Sequence, residues 1–384
     1  MENEKLLMTP GPTMLPPSVL EVMRRQIIHH RTKEFEETLN SLANNLKTIF
    51  QTKNSVMTFA SSGTGVMESA IVNLFSPGDK VLSVSIGNFG DRFAQIAEAF
   101  QLDVVKLKYE WGQAAKVSDI KDILQKAGSE NIKGILITHN ETSTGVTNDI
   151  KAVAELTKNT DILLVVDAIS SLGGLELKMD EWGIDCVVTG SQKALMAPPG
   201  LGFSALSDKA WAACDKSTMP KFYWDYKKYK KGLDGTGENP PFTPAITTMQ
   251  AQAVALKLIL EEGIENVYGR HKKLALATQA GIQSLGLELL ANQENSSYII
   301  TAVKAPNGID ISKVIKTLNQ KFNIMITGGQ KELKGKIFRI GHCGFVSGPD
   351  LIKTFSALEM ALSQEGYIFE SGISLKAVQN QLKN

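Results

Sequence analysis

Thr189-Gly190-Ser191-Gln192-Lys193-Ala194-Leu195-Met196-Ala197-Pro198-Pro199-Gly200-Leu201-Gly202 is the stretch that decides how this chain folds. The apolar run Cys186-Val187-Val188 leads into it and reads as a buried strand. A Gly/Ser turn follows and ends on a lysine. Upstream, Ile162-Leu163-Leu164-Val165-Val166 is a second buried-strand pattern, and it ends on Asp167. Each run thus delivers one charged residue at its C-terminal end, where open α/β sheets bind ligands. Lysine is rarely buried without a partner, and a carboxylate set behind five apolar residues is costly unless paired. A helix cap or a structural salt bridge is the plainer reading of Asp167.

Working outward, the chain alternates. Val56-Met57-Thr58-Phe59 leads to a glycine turn at Gly63 and Gly65, then a helix through Leu74, stopped by Ser76-Pro77-Gly78-Asp79. Val81-Leu82-Ser83-Val84 is the next strand, with a helix expected from Arg92. Strands follow at Val104-Val105 and Ile135-Leu136-Ile137. Strands alternating with helical patterns predict a mostly parallel sheet with helices on both faces. Phe35, Leu39, Leu42, Leu46 and Ile49 recur at helical spacing and predict a one-faced packing helix. Pro220 to Thr243 is aromatic, basic and without clear period, and reads as a long surface excursion. Helices are expected at Thr248–Leu260 and about Glu265–Leu285. Tyr298–Val303, Ile311–Phe322 and Lys336–Gly341 then suggest a small α/β unit. The expected division is an N-terminal arm 1–17, a large domain 18–264 and a small domain 265–384.

Composition narrows the function classes. Of 384 residues, 43% are hydrophobic and 21% charged, with 41 basic against 40 acidic side chains. This near balance gives no electrostatic case for nucleic acid or an acidic membrane surface. Cys186, Cys214 and Cys343 have no metal-type spacing, which argues against a disulfide framework and fits a reducing cytoplasm. No metal site is expected.

Ser61-Ser62-Gly63-Thr64-Gly65-Val66 follows a strand and opens a helix, a place for a phosphate monoester against free N–H groups. The same turn is as readily structural, and it lacks the third glycine of a dinucleotide fingerprint and the lysine of a P-loop. Phe89, in Gly87-Asn88-Phe89-Gly90-Asp91-Arg92, offers a ring to stack on a planar cofactor; core packing is its ordinary use. His139-Asn140-Glu141-Thr142-Ser143-Thr144-Gly145 brings polar groups to a strand end, equally readable as a cap or turn. Arg339 lies in the apolar frame Ile337-Phe338-Arg339-Ile340. It holds a carboxylate through two parallel bonds or stands on a solvated strand face. A lysine able to form a Schiff base, with a carboxylate for a pyridinium nitrogen, is the pair a pyridoxal-phosphate enzyme needs.

As an ordered set, the Pro10-Gly11-Pro12 arm, SGTG, GNFGDR, THNETSTGV, VDAISSLGG, GSQKALMAPPGLGF, PFTPA and FRIGHCGF span nearly the whole chain. The set resembles the class V branch of the fold-type-I pyridoxal-phosphate enzymes. It is nearest the alanine/serine–glyoxylate (serine–pyruvate) aminotransferases and the group labelled tritium-exchange subunit of a soluble hydrogenase. The resemblance implies a large, mostly parallel, seven-stranded-type sheet domain with a smaller C-terminal α/β domain. It implies pyridoxal 5'-phosphate held by Thr64, Gly65, the Val66 amide, Phe89, Thr142, Asp167, Gln192 and Lys193. Lys193 would be the Schiff-base lysine and Asp167 the partner of the ring nitrogen. Thr243 would reach the phosphate of a neighbouring subunit, making a homodimer with shared sites. Arg339 and the Gly11 backbone would bind the substrate. Many relatives carry tryptophan where Phe89 stands.

The reaction implied is ping-pong transfer of an amino group from alanine or serine to glyoxylate or pyruvate. Two alternatives share the sequence. One is a lyase or cysteine desulfurase of the same class, with Cys343 as its thiol. The other is a subunit of a soluble hydrogenase complex. His29, His30 and Arg31, near a helix start, are candidates for substrate or partner contact against capping and surface roles.

Overall fold

The computed structural model describes residues 4–126, 131–236 and 239–383. Met1 to Asn3, expected to begin the arm, and residues 237–238 of the Pro220–Thr243 segment lie outside the described residues.

The apolar stripe that starts at Phe35 forms helix α1 (Lys33–Phe50), capped by Thr32 and burying Phe35, Leu42, Leu46 and Ile49. The alternation that follows builds β1 (Val56–Ser61), α2 (Gly63–Leu74), β2 (Lys80–Ser85), α3 (Asn88–Ala99), β3 (Asp103–Lys108), β4 (Ile132–Thr138), β5 (Leu163–Asp167), β6 (Cys186–Gly190) and β7 (Gly200–Leu206). The seven strands form one sheet in the order β1-β7-β6-β5-β4-β2-β3. Only β7 runs antiparallel to its neighbours. Every residue of β5 and β6 is buried. Leu164, Val166 and Val187 point into one hydrophobic cluster, and Leu163, Val165, Cys186 and Val188 into another. This is the two-residue period of a strand covered on both faces.

Between β2 and β4 the strand order reverses direction, the place where an open α/β sheet leaves a crevice at its carboxyl edge. Segments 86–90, 139–145, 167–171 and 190–193 leave the sheet at or beside that point.

Helix α3 starts at Asn88, four residues before the expected Arg92. The segment 220–243 differs from expectation more deeply. It contains a helix, Tyr226–Leu233, whose Tyr226 is wholly buried against Phe59 and bonded to Ser69 and Ser204. Eight residues rich in lysine are too few to show a period.

Helix α4 (Ile246–Glu262) leads through Gly263, at φ +85°, into α5 (Ile264–Ser284). Beyond it, β8 (Ile300–Lys304), β9 (Thr327–Gly328) and β10 (Ile337–Gly341) make an antiparallel sheet in the order β8-β10-β9. A separate core of Val303, Phe338, Ile340, Leu318, Phe355 and Val378 packs between this sheet and its helices. The N-terminal arm joins that core. Leu6–Leu7 pairs in parallel with Ile324–Met325, Met8 is buried, and the Gly341 N–H donates to the Met8 carbonyl at 2.9 Å. Among the described residues, no helix is long and apolar enough to cross a membrane.

Candidate active site

The turn after β6 carries Lys193 into the crevice. Its side chain is only 8% exposed, and Nζ donates to the Pro10 carbonyl at 2.6 Å. The arm therefore lies directly on the lysine. Gly11 sits at φ +125°, and a Cβ there would fall 2.3 Å from the Lys193 Cδ and 2.7 Å from Nζ. Burial pushes the Lys193 ammonium below the usual lysine range, and the charges of Arg339 and Arg92 push the same way. A lysine in such surroundings gives up its proton readily and becomes a nucleophile.

Asp167, at the end of β5, is 2% exposed. Its Oδ1 accepts the Ile169 N–H at 2.9 Å and its Oδ2 the Thr138 hydroxyl at 3.2 Å. Burial pushes its pKa up to about 6, against those two hydrogen bonds. No cation among the described residues lies within ion-pair distance of it, so the capping and salt-bridge readings leave its charge unbalanced. His139 donates its backbone N–H to the Asp167 carbonyl, and its ring Nδ1 is buried without a partner. Burial lowers its pKa to about 4, so the ring is neutral.

Arg339 comes from β10 in the small sheet. It is 4% exposed, not on a solvated face. Its Nε and one terminal nitrogen donate to the Gly328 carbonyl at 3.0 and 2.8 Å, and the other terminal nitrogen donates to the Thr142 carbonyl at 2.8 Å. A guanidinium has five N–H groups, so one remains on each terminal nitrogen. That pair matches the two oxygens of a carboxylate. Thr142 is thereby placed between β4 and the small sheet.

Ser62 caps α2, accepting the Gly65 N–H at 3.4 Å. The Gly63 and Thr64 N–H groups find no acceptor among the described residues. The Val66 N–H instead donates to the Ser62 carbonyl at 3.3 Å, inside the helix. A Cβ at Gly65 would fall 2.3 Å from the Ser61 hydroxyl and 3.0 Å from the Trp224 ring. Nearby, the Gln192 Oε1 is buried and unpartnered. Phe89 is half-buried, with the Arg92 guanidinium 4.8 Å from its ring centre.

Glu141 escaped the reading of the sequence as a functional position. It is wholly buried, and its Oε2 accepts the N–H groups of Phe89 and Gly90 at 2.9 and 3.1 Å. Its Oε1 accepts the Ser143 N–H and hydroxyl at 3.1 and 2.6 Å. Ser143 in turn accepts the Asn88 N–H at 3.0 Å. Helix α3 has no side-chain cap of its own at Gly87, and these two residues from the loop after β4 cap it instead.

Other candidates fall elsewhere. Cys343 is wholly buried, and burial pushes its thiol up to about 11, unlike a mobile nucleophile. His29 and His30 stack at 4.6 Å beside the start of α1, where His29 serves the turn: its carbonyl accepts the Thr32 hydroxyl. Thr243 is exposed and makes no hydrogen bond among the described residues. Among the described residues, no group of three or more His, Cys, Asp or Glu side chains is placed to hold a metal ion.

The family described as Aminotransferase class-V matches residues 6–341. The small subunit of the soluble hydrogenase of Synechococcus sp. (strain PCC 6716) is 40% identical, over 100% of this chain and 99% of that protein. The serine–glyoxylate aminotransferase of Methylorubrum extorquens is 36% identical, over 98% of this chain and 96% of that protein. The crystal structure of ureidoglycine–glyoxylate aminotransferase from Bacillus subtilis superposes with a TM-score of 0.94 at 30% identity, covering 100% of this chain and 99% of that one.

Proposed function

The chain belongs to the class-V aminotransferases, and from that membership we propose that it uses pyridoxal 5'-phosphate to move an amino group from alanine or serine to glyoxylate or pyruvate. The observation that carries the reading is the buried Lys193, its ammonium pushed below the usual lysine range, in one crevice with a buried Asp167 that has no cation within ion-pair distance among the described residues. A protonated pyridine nitrogen is the charge Asp167 lacks. The free N–H groups at the start of α2 suit a phosphate, and the glycines at 11 and 65 leave open what a Cβ would fill. The residues therefore fit the cofactor.

When bound, pyridoxal phosphate supplies an aldehyde carbon and a ring that takes up electrons. The protein does the rest. The Lys193 Nζ would hold the cofactor's aldehyde carbon as an imine, with loss of water, and once displaced by the amino acid it would take the α-proton as general base. Asp167 would be kept ionised by a cationic ring N–H held against it. The two remaining Arg339 N–H groups grip the substrate carboxylate, and the Gly11 backbone lines the same pocket. Thr64, Gly65, Val66 and Gln192 would hold the phosphate, with the helix start rather than the Val66 N–H as donor. Phe89 would stack on the ring and Thr142 would bond near its phenolic oxygen. A homodimer with Thr243 of one subunit completing the site of the other suits an exposed Thr243 whose chain neighbour Phe242 lies 5.9 Å from the Phe222 ring, itself 72% exposed. We also divide the chain into an arm 1–17, a large domain 18–264 and a small domain 265–384, with Gly263 at the joint.

The test is a half-reaction screen. Alanine, serine, glycine and aspartate are each titrated against the holoenzyme, and the cofactor's absorption is followed. Alanine or serine should convert it fully. Lys193→Ala should slow conversion by at least about 100-fold and abolish borohydride trapping at position 193. Undiminished conversion in that variant would defeat the reading.

A further inference from the structure

Arg92 is a cation without an anion. Its terminal nitrogen donates to the Thr64 hydroxyl at 3.2 Å, and its guanidinium carbon lies 4.8 Å from the Phe89 ring centre. That is one hydrogen bond for five N–H groups. No carboxylate among the described residues lies within ion-pair distance of it. The neighbouring Asp91 is engaged elsewhere, paired with Lys108 at 3.1 Å and accepting the Ser85 hydroxyl at 2.9 Å. Yet Arg92 is half-buried, in a position where an unbalanced guanidinium is costly.

Its location explains what the charge is for. On α3, Phe89 and Arg92 are three residues apart and share a face. That face turns toward the start of α2, because Arg92 reaches its second residue, Thr64. The Gly63 and Thr64 N–H groups also lack acceptors. A guanidinium and a helix start that converge on one spot form a site for a doubly charged oxyanion. Stacking on Phe89 and the bond to Thr64 hold the guanidinium ready, leaving four N–H groups for the ligand.

We propose that Arg92 binds the phosphate group of the cofactor, together with the amino end of α2. The inference rests on the pyridoxal-phosphate reading above and adds a residue to it. It separates two ligands that differ only in phosphorylation: pyridoxal phosphate should feel Arg92, and pyridoxal should not.

The experiment uses the apo forms of the full-length wild type, Arg92→Gln and Arg92→Lys, each titrated with pyridoxal phosphate and with pyridoxal by fluorescence. Arg92→Gln should weaken pyridoxal phosphate about 10- to 100-fold, the cost of losing charged hydrogen bonds, with pyridoxal affinity within about twofold of wild type. Arg92→Lys should recover part of the loss. Inorganic phosphate should raise the apoprotein's melting temperature in the wild type and not in Arg92→Gln. Equal weakening of both aldehydes would make Arg92 a structural residue and overturn the proposal. So would unchanged affinity for both. Wild-type protein that binds neither aldehyde would instead bring down the cofactor reading itself.

Discussion

Lys193 is held from three sides: Pro10 takes its amine, Thr13 donates to its carbonyl at 3.2 Å, and Gly11 lies flat against its stem. Gly11 combines a positive φ with a contact that no side chain fits. Gly11→Ala therefore forces both a strained backbone, costing on the order of 1–3 kcal/mol, and a displaced lysine. The expected result is a lower melting temperature together with a cofactor band shifted or weakened at equal loading. An unshifted band at full activity would show that the arm does not position the amine. The charged residues at strand ends were legible because an apolar run that stops on Asp167 or turns onto Lys193 has few uses for the charge. Pro10, Glu141 and Arg92 were not legible in their roles. Their partners stand 183, 52 and 28 residues away in sequence, and only the fold brings them together.

At the scale of elements, α3 is a helix whose start is set by another loop. Glu141 satisfies the Phe89 and Gly90 N–H groups, which Gly87 cannot do. Glu141→Ala leaves these donors and the Ser143 N–H unpaired in the interior, at about 1–3 kcal/mol for each buried group left unsatisfied. A melting point well below wild type, and loosened hydrogen-exchange protection at 88–91, should be seen. Glu141→Gln keeps one acceptor oxygen and should fall between the two. Protection unchanged in Glu141→Ala would remove the cap argument. The start of α3 was misjudged in the sequence for this same reason: the usual signal, a capping side chain just before the helix, is absent. The helix at Tyr226–Leu233 was hidden by its brevity, whereas α1, with eighteen residues and a regular stripe, was plain.

Over the whole molecule, burial of neutral histidines sets the response to acid. His139 and His271 are lowered to about 4, and His342 to about 3, all chiefly by burial. Below their ordinary value of 6.5 the unfolded chain binds protons that the native state refuses. Their contribution is thus present above pH 6.5 and lost as the pH falls toward 4. Asp167, raised to about 6, works the other way: its contribution is present below 3.8 and lost as the pH rises through 6. Burial raises the Glu141 carboxyl as well, and it works in the same direction as Asp167. Three groups with lowered values oppose two with raised ones, so the urea midpoint of the apoprotein should fall between pH 6.5 and 4. A midpoint flat or rising toward acid would contradict the assignment of neutral imidazoles. The large sheet and the separate C-terminal layers were readable in outline from alternation alone. The tie between them, the arm's return from Met8 to Lys193, was not, because a turn-rich segment with four prolines between residues 9 and 17 carries no period to read.

That tie makes the three residues from Met8 to Pro10 a mechanical linkage. One end is hydrogen-bonded to the strand that bears Arg339, at Gly341, and the other end touches the amine of Lys193. A carboxylate bound at the guanidinium would load the same strand, and through it the carbonyl that holds the nitrogen. The colour of the bound chromophore should therefore register occupancy of that grip before any bond is made or broken.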